Sequence, residues 1–396
     1  MATETIDAAP RPSRSLPWND AKTRGIVIQV LFVAAVVAAI WFLAHNTIVN
    51  LRRQNIATGF DFLHREAAFG IGEHLIDYSP ADTYFRAFLV GLTNTLYVSA
   101  IGIVLATIVG TVMGLARLSS NWLVRKLAQV YVETFRNIPL ALQLLFWWGL
   151  LRQSAPPPRQ AWEPLPGMFV SNRGIMFPTP AYNSAYDWLL PALLIAGVAT
   201  YAIYRWARQR QARTGMQFPT GWVGLALIVG LPAAVFLAQG APLTLDWPAL
   251  KGFNFSGGTA ISPEFGALLL GLVIYTGSFI AEIVRAGILA VNWGQSEAAL
   301  ALGLTNGQRM RLIVLPQALR VIVPPMTSEY LSLTKNSSLA VIIGFPDLVS
   351  IANTTMNQTG QAIEGISLIM LVYLVISLAI SGAMNLYNRA VALVER

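Results

Sequence analysis

The chain has 396 residues, of which 55% are hydrophobic and only 12% are charged. Because a soluble domain carries about 25% charged residues, this composition predicts a membrane protein. Cysteine is absent, which excludes a disulfide framework and a thiolate metal site. The formal net charge of +8 fits cytoplasmic Lys and Arg beside membrane helices better than nucleic-acid binding, so we predict no nucleic-acid partner.

Eight apolar stretches are candidates for crossing a membrane, which takes about 20 mostly apolar residues. In chain order they are residues 26–44, 87–116, 137–151, 188–204, 221–239, 265–281, 325–345 and 365–388. The first follows four basic residues, but its apolar run exceeds the roughly 7–15 residues of a signal-peptide core, so we predict a retained helix. The sequence therefore predicts an all-α polytopic membrane protein with about eight transmembrane helices.

The distribution of Lys and Arg predicts the orientation. With the N-terminus in the cytoplasm, the inner segments hold eighteen of the 27 basic residues, as the positive-inside rule requires. Both termini and the connection at 293–323 then lie inside. The outer connections are long and contain runs such as SAPPPRQAWEPLPG, in which proline removes backbone donors and fixes φ. We expect an ordered, irregular cap on the outer face, with a mobile loop as the alternative.

A connection of unusual composition, EAALALGLTNGQRMRLIVLP, occupies residues 297–316 between two apolar stretches. Thr305 and Gln308 have the spacing of a capping box, in which a Thr N-cap and a Gln three residues later satisfy each other's backbone donors. Gly303 stands where a helix C-terminus favours glycine, because glycine accepts a left-handed backbone. The segment is therefore predicted as two short helices joined by a sharp glycine turn.

Proline and alanine residues add helix ends and a small-residue face to this prediction. Pro316 is expected to end the second short helix, and Pro324 with Pro325 to stop any helix from running straight through. Ala298, Ala299 and Ala301 give the first helix a small-residue face that another protein could approach closely. The residues alone leave an alternative open, namely an amphipathic helix that only rests on lipid.

The connection resembles the EAA loop of permease subunits in binding-protein-dependent ABC importers. Every defined position of that loop is matched, by Glu297, Ala298, Ala299, Gly303, Ile313, Leu315 and Pro316. Four stretches resemble the polar amino-acid branch: GLTNTLYVSAIGIVLATIVG (91–110), VETFRNIPLALQLLFW (132–147), AEIVRAGILAVNWGQSEAALALG (281–303) and LTKNSSLAVIIG (333–344). The helix at 26–44 and the helical pair at 188–239 resemble the larger permease of general L-amino-acid transporters, which pairs with a second permease.

The resemblance implies a type I ABC importer permease core with an extra N-terminal helix and an inserted helical pair. The implied division of the chain is a cytoplasmic tail (1–25), the extra transmembrane helix (26–44), a periplasmic segment (45–85), the first part of the core (86–152), periplasmic loops with the inserted pair (153–263), and the second part of the core (264–396) with the coupling loop 293–323.

The same resemblance implies that the connection is a coupling helix that docks on a cytoplasmic ATPase. The residues implied for this role are Glu297, Ala298, Ala299, Gly303, Arg309 and Pro316. The implied partners are a related permease, an ATPase dimer, a periplasmic substrate-binding protein and the lipid of the bacterial inner membrane, with a heterodimer of permeases favoured over a homodimer. No G-x-x-x-x-G-K-[ST] motif occurs, so we predict that the chain is not an enzyme and binds no cofactor, ATP and Mg being used by the ATPase.

Polar side chains within the spans are candidates for an amino-acid path, because ionisable groups are rare inside a bilayer and usually functional. Glu282, one helical turn after Ser278, is expected to contact the ammonium group of a substrate, or alternatively to pair with Arg285 at i+3. A second group could attract a carboxylate or could only satisfy a broken helix. Its members are Lys335, Asn336, Ser337 and Ser338.

Two other functional classes compete with an ATP-driven importer. An ion-coupled secondary transporter of small polar solutes would be expected to show internal repeats and acids at mid-membrane, and neither is evident. A membrane-embedded enzyme would need a cluster of His or carboxylate residues near the bilayer, whereas His45, His64 and His74 all lie in the first outer segment. The importer is therefore the favoured hypothesis.

Overall fold

The structure, a computed structural model, describes residues 21–54, 58–241 and 243–391. Most of the predicted tail, 1–25, lies outside these residues. The α-helices of the described chain are α1 Ala21–Arg53, α2 Tyr84–Ala116, α3 Trp122–Asn137, α4 Leu140–Ser154, α5 Leu189–Thr214, α6 Thr220–Ala238, α7 Pro263–Leu289, α8 Trp293–Ala301, α9 Asn306–Arg309, α10 Leu315–Asn336, α11 Leu348–Thr359 and α12 Ala362–Val391. Shorter 3₁₀ and π segments are Asp61–His64, Pro158–Gln160, Ser184–Trp188, Met310–Val314 and Ser337–Ile343.

Six helices of the described residues are long and apolar enough to cross a membrane. They are α1, α2, α5, α6, α7 and α12. A seventh crossing is possible where the helical run from Asn306 to Ile343 meets α11 at a bend of 51°. The chain is thus a helical, multi-pass membrane protein, with six or seven described spans by length and apolar composition where the sequence predicted about eight.

The predicted span 137–151 corresponds to α4, which begins three residues later than predicted. Ile138 has φ −94° and ψ 126°, an extended conformation that separates α3 from α4. The cause is Pro139, because proline disfavours helical geometry in the residue before it. The 15 residues of α4 reach about 22 Å, which is short of the roughly 30 Å hydrocarbon core. An amphipathic helix, α3, precedes α4 instead of extending it.

In place of the predicted span 325–345, the structure has a helical run that begins earlier, with α10 at Leu315. Helix α10 contains both Pro324 and Pro325, so the prediction that they stop a helix is wrong. Proline φ is compatible with a helix, and in membrane helices neighbouring groups can satisfy the freed carbonyls. The run continues as a 3₁₀ segment to Ile343 and turns at Gly344, whose φ is 80°.

Eight short strands of the described chain lie in the connections between α4 and α5 and between α6 and α7. They are β1 Trp162–Leu165, β2 Met168–Ser171, β3 Gly174–Phe177, β4 Thr179–Pro180, β5 Leu245–Asp246, β6 Ala249–Lys251, β7 Asn254–Ser256 and β8 Thr259–Ile261. Four form an antiparallel sheet in the order β1-β2-β3-β8, and β4–β5 and β6–β7 form separate pairs. These connections form small sheets, so the prediction that they are irregular is wrong.

Helices α2 and α7 run in the same direction and pack along a seam of small residues. At one end Tyr97 stacks on Phe265, with ring centroids 5.6 Å apart. Further along, a Cβ atom added at Gly110 would lie 2.5 Å from the Cβ of Ile280. Buried small residues recur on α2 at every fourth position, a spacing that lets membrane helices approach closely. They are Gly102, Ala106, Gly110 and Gly114.

Replacing Gly110 with leucine is expected to destabilise the fold, because the new side chain would occupy space held by Ile280. Over-packing of this kind costs about 1–3 kcal/mol. The measurement is the thermal unfolding midpoint of the purified protein in detergent. The matched control is Gly197→Leu on α5, where an added Cβ meets nothing within 4 Å among the described residues. Equal midpoints for the two variants would contradict the seam.

Two antiparallel helices complete this core. Leu144 of α4 packs at Gly271, and Ile322 of α10 packs at Gly287. The inserted helices α5 and α6 pack on each other, with Thr200 against Gly224. The apolar window of α1 is entirely exposed in the described structure.

The segment between α1 and α2 closes one end of the core. Its Phe62 is 1% exposed, and the backbone N–H of Gly59 donates to Glu364 Oε1 at 2.8 Å. Asn94 Nδ2 donates to the carbonyls of Glu73 and Pro346, both at 2.9 Å. This amide therefore links α2 and the segment between α1 and α2 to the residues just before α11.

Candidate functional site: the elbow and the inner cavity

The predicted coupling connection forms two short helical pieces at residues 293–314, which we call the elbow. In its first helix, α8, the carboxylate of Glu297 accepts a hydrogen bond from Trp293 Nε1 at 2.9 Å. Ala299 is buried, whereas Ala298 is exposed. Of the small-residue face predicted from the sequence, Ala298 and Ala301 are open to a partner and Ala299 is not.

A Schellman motif ends the first helix. The N–H of Gly303 donates to Leu300 O at 2.9 Å, and the N–H of Leu304 donates to Ala299 O at 3.1 Å. Gly303 has φ 77°, and an added Cβ would meet nothing within 4 Å among the described residues. Leu302, one residue earlier, is 82% exposed. The turn predicted at Gly303 is confirmed, and it presents an apolar side chain that the sequence analysis missed.

The second piece begins with the predicted capping box. Gln308 N–H donates to Thr305 Oγ1 at 3.3 Å, and Thr305 N–H donates to Gln308 Oε1 at 2.9 Å. A π-helical turn follows, and α10 then begins with Pro316 in its first turn. Pro316 therefore starts a helix, where a missing N–H costs nothing, and the prediction that it ends one is wrong. Arg309 is half-buried, and its Nε has no partner in the described chain.

Glu282 lies near the end of α7 closest to the elbow and forms two ion pairs. Its Oε1 is 2.5 Å from Nη2 of Arg285, one turn later on the same helix. Its Oε2 pairs with Nη1 of Arg117, at the C-terminal end of α2. The alternative reading of Glu282 as an intrahelical partner is confirmed, and the pair with Arg117 adds a link between two helices that the sequence did not predict.

These charges border a cavity of about 350 Å³ between α2, α3 and α7. Its lining residues are Arg117, Val132, Glu133, Arg136, Asn137, Phe279 and Glu282. The guanidinium of Arg136 lies 4.8 Å from the centre of the Phe279 ring. Guanidinium groups can bind a carboxylate, and carboxylates can bind an ammonium group. This cavity, which we call the inner cavity, therefore has the chemistry to hold a zwitterion. Glu133 and Arg136 of α3 are charges that the sequence analysis did not assign to a substrate path.

The other predicted path residues are placed elsewhere. Ser278 is fully buried, and its hydroxyl donates to Tyr275 O at 2.6 Å, so it does not line the inner cavity. Lys335 is exposed near the end of α10, Asn336 is half-buried, and Ser338 donates to Lys335 O at 2.6 Å. Two exposed serines missed by the sequence analysis share the face of Lys335 at helical spacing, namely Ser328 and Ser332.

Glu282 and Lys335 are far apart along the bundle. Leu333, two residues before Lys335, packs at Gly102 of α2, while Glu282 pairs with Arg117 of the same helix. Fifteen residues of helix span about 22 Å. A single amino acid is too short to contact both side chains at once, so the two predicted contacts would be made at different points along the bundle.

Known proteins match this chain along its whole length. The profile of the family described as "Binding-protein-dependent transport system inner membrane component" matches residues 210–393, which include the elbow. The putative amino-acid ABC transporter permease protein YhdX of Escherichia coli (strain K12) is 50% identical over 383 residues, covering 96% of this chain and 98% of that protein. The chain belongs to the amino-acid permeases of binding-protein-dependent ABC transporters.

Two further similarities concern this permease. The general L-amino acid transport system permease protein AapQ of Rhizobium johnstonii is 49% identical over 400 residues, with both chains covered completely. A solved structure described as an amino acid ABC transporter with histidines has 23% identity and a TM-score of 0.46, covering 78% of this chain and 95% of that one. The resemblance drawn from the EAA-like segment is confirmed, and the relatives do not support an ion-coupled secondary carrier.

Proposed function

We propose that this permease is one of two membrane subunits of an ATP-driven importer of amino acids in the bacterial inner membrane. The observation that carries the proposal is the identity of 49–50% along the whole chain to permeases named for amino-acid transport. A relative from Rhodobacter capsulatus, 43% identical, is named for glutamate, glutamine, aspartate and asparagine. Substrates with an ammonium and a carboxylate group are therefore the class that we assign to this chain.

The elbow couples the permease to a cytoplasmic ATPase dimer, which uses ATP and Mg. Support comes from exposed apolar side chains around Ala298, namely those of Trp293, Leu300 and Leu302. Exposed apolar groups rimmed by polar ones are typical of a protein interface. In this arrangement both termini and the elbow are cytoplasmic, and a periplasmic substrate-binding protein delivers amino acids to the strand-bearing end. The chain itself has no nucleotide-binding role.

The path for the substrate runs past two charged points at different depths. Lys335, with its neighbouring exposed serines, receives the carboxylate at one level, and Glu282 receives the ammonium group about 22 Å further along. Lys335 suits the first role because no carboxylate in the described chain lies within ion-pair distance of it. Glu282 would have to exchange an arginine partner for the substrate. Binding at the inner cavity therefore competes with an ion pair, whereas binding at Lys335 does not.

Co-purification of the tagged chain from its native membrane tests the proposal. We expect mass spectrometry to identify a related permease and an ATPase with Walker motifs, and a binding protein in smaller amount. The purified chain alone should neither hydrolyse ATP nor accumulate amino acids in vesicles. Recovery without any ATPase, or uptake by the chain alone driven by an ion gradient, would contradict an ATP-driven importer.

A further inference from the structure

The last turns of α5 carry a concentration of positive charge to which the proposed transport function gives no role. Residues 205–214, which we call the basic segment, contain four arginines: Arg205, Arg208, Arg210 and Arg213. The nearest acidic residues along the chain are Asp187 and Asp246. None of the ion pairs among the described residues involves these arginines. The basic segment therefore holds four positive charges without a carboxylate partner in the described chain.

The basic segment projects beyond the helix that α5 packs against. Thr200 of α5 lies against Gly224 of α6, four residues after α6 begins, whereas α5 continues for fourteen residues beyond this contact. The overhang is about ten residues, or about 15 Å of helix. The chain returns through Gly215, at φ 72°, and Phe218 packs edge-on against Trp206 at 5.4 Å. The apolar part of α5 thus gives way to a charged end at the level where the uncharged α6 starts.

Aromatic side chains hold three of the arginines at helical spacing. The guanidinium of Arg208 lies 5.4 Å from the centre of the Tyr204 ring, and that of Arg210 lies 5.4 Å from the centre of the Trp206 ring. Arg205 Nη1 donates to Tyr201 Oη at 3.4 Å. Tyr and Trp concentrate at the boundary between hydrocarbon and headgroups, so this pairing is typical of a segment that crosses the headgroup layer.

The arginines are distributed around the helix and not along one face. At 100° per residue they spread over about 200° of the helix circumference, and the remaining arc contains Ala207, which is 5% exposed. Arg205, Arg208 and Arg213 are exposed. A rigid protein partner would contact one face of such a helix, whereas a layer of lipid headgroups contacts all of them. The distribution therefore favours lipid over protein as the occupant.

We propose that the basic segment binds the phosphate groups of anionic phospholipids. A stacked guanidinium keeps its N–H donors directed outward, where they can bind phosphate oxygens in pairs. Juxtamembrane clusters of basic residues are attracted to anionic membrane surfaces, and each arginine strengthens such binding by about fivefold. The inserted helical pair would then recognise lipid, independently of the transport function proposed above.

Lipid titration of the full-length protein in detergent, followed by native mass spectrometry, tests the proposal. The probes are phosphatidylglycerol and phosphatidylcholine. We expect the double variant Arg208→Gln, Arg213→Gln to bind phosphatidylglycerol about 25-fold more weakly, as two losses of about fivefold each. Binding of phosphatidylcholine should not change. The matched control removes two exposed arginines of the strand-bearing connection, Arg159→Gln with Arg173→Gln, and should bind phosphatidylglycerol as the unaltered protein does.

A charge-preserving variant separates lipid binding from a folding defect. Arg208→Lys with Arg213→Lys should keep most of the affinity, and that affinity should fall at high salt because charges at the surface are screened. Unchanged phosphatidylglycerol affinity in the glutamine variant would overturn the proposal. So would loss of a co-purifying protein from that variant while lipid affinity is retained, since this would make the occupant a protein.

Discussion

Replacement of Gly303 by aspartate is expected to abolish uptake and to release the ATPase, while the chain still inserts into the membrane. The backbone at this position has φ 77°, which costs a residue other than glycine about 1–2 kcal/mol, with Asp and Asn the best tolerated. Because an added Cβ meets nothing within 4 Å in the described chain, the elbow itself should keep its fold. The loss should come from a charge placed beside Leu302 on the docking face.

The measurement is uptake of a labelled amino acid in vesicles, together with the amount of ATPase that co-purifies. Gly303→Asn serves as one control, since it has the same backbone preference without the charge, and its defect should be smaller. Gly215→Asp serves as another, because Gly215 has φ 72° and equally open surroundings outside the elbow. Normal uptake by Gly303→Asp would refute the coupling role of the elbow.

Glu282→Gln is expected to lower uptake by at least tenfold without releasing the ATPase. The substitution leaves Arg117 and Arg285 without their carboxylate, and their side chains are only 15% and 31% exposed. Loss of a partly buried pair of this kind should reduce stability by about 1–2 kcal/mol, because solvent screens part of the interaction. Uptake should fall further than this loss explains if the carboxylate also receives the ammonium group of the substrate.

Arg117→Gln separates the two roles of Glu282. It removes the link between α2 and α7 but leaves the carboxylate in the inner cavity. A contact with the substrate predicts a raised KM for Glu282→Gln and a nearly unchanged KM for Arg117→Gln. If both variants had the same kinetic defect, and the double variant were no worse than either one, the ion pair would be purely structural. Lys335→Gln should also raise KM, whereas Lys335→Arg should not.

Local rules predicted the elbow well because its geometry is encoded within a few residues. A Thr with a Gln three positions later and a glycine at a helix end each satisfy specific backbone groups of their own turn. The same rules misjudged Pro316, Pro324 and Pro325. Proline restricts the chain only locally, and the position of Pro316 in a first turn depends on where the preceding π-helical turn ends.

Features that depend on contacts between distant parts of the chain were missed. Arg117 and Glu282 are 165 residues apart, and nothing near either residue indicates the other. The strands of the cap contain two to four residues each, too few to show an alternating pattern. The seam of α2 is different, because Gly102, Ala106, Gly110 and Gly114 recur at a readable spacing that the sequence analysis did not use.

The pairing of β3 with β8 bears on how such a protein could have acquired the segment between these two strands. Phe177 and Thr259 are partners in the register of that ladder, so the chain leaves and re-enters at adjacent points with 81 residues between them. Segments with neighbouring ends can be added to a fold with little disturbance. The helical hairpin of α5 and α6 therefore lies in a segment whose two ends meet, and a short turn joining β3 directly to β8 should leave a shorter chain that still folds.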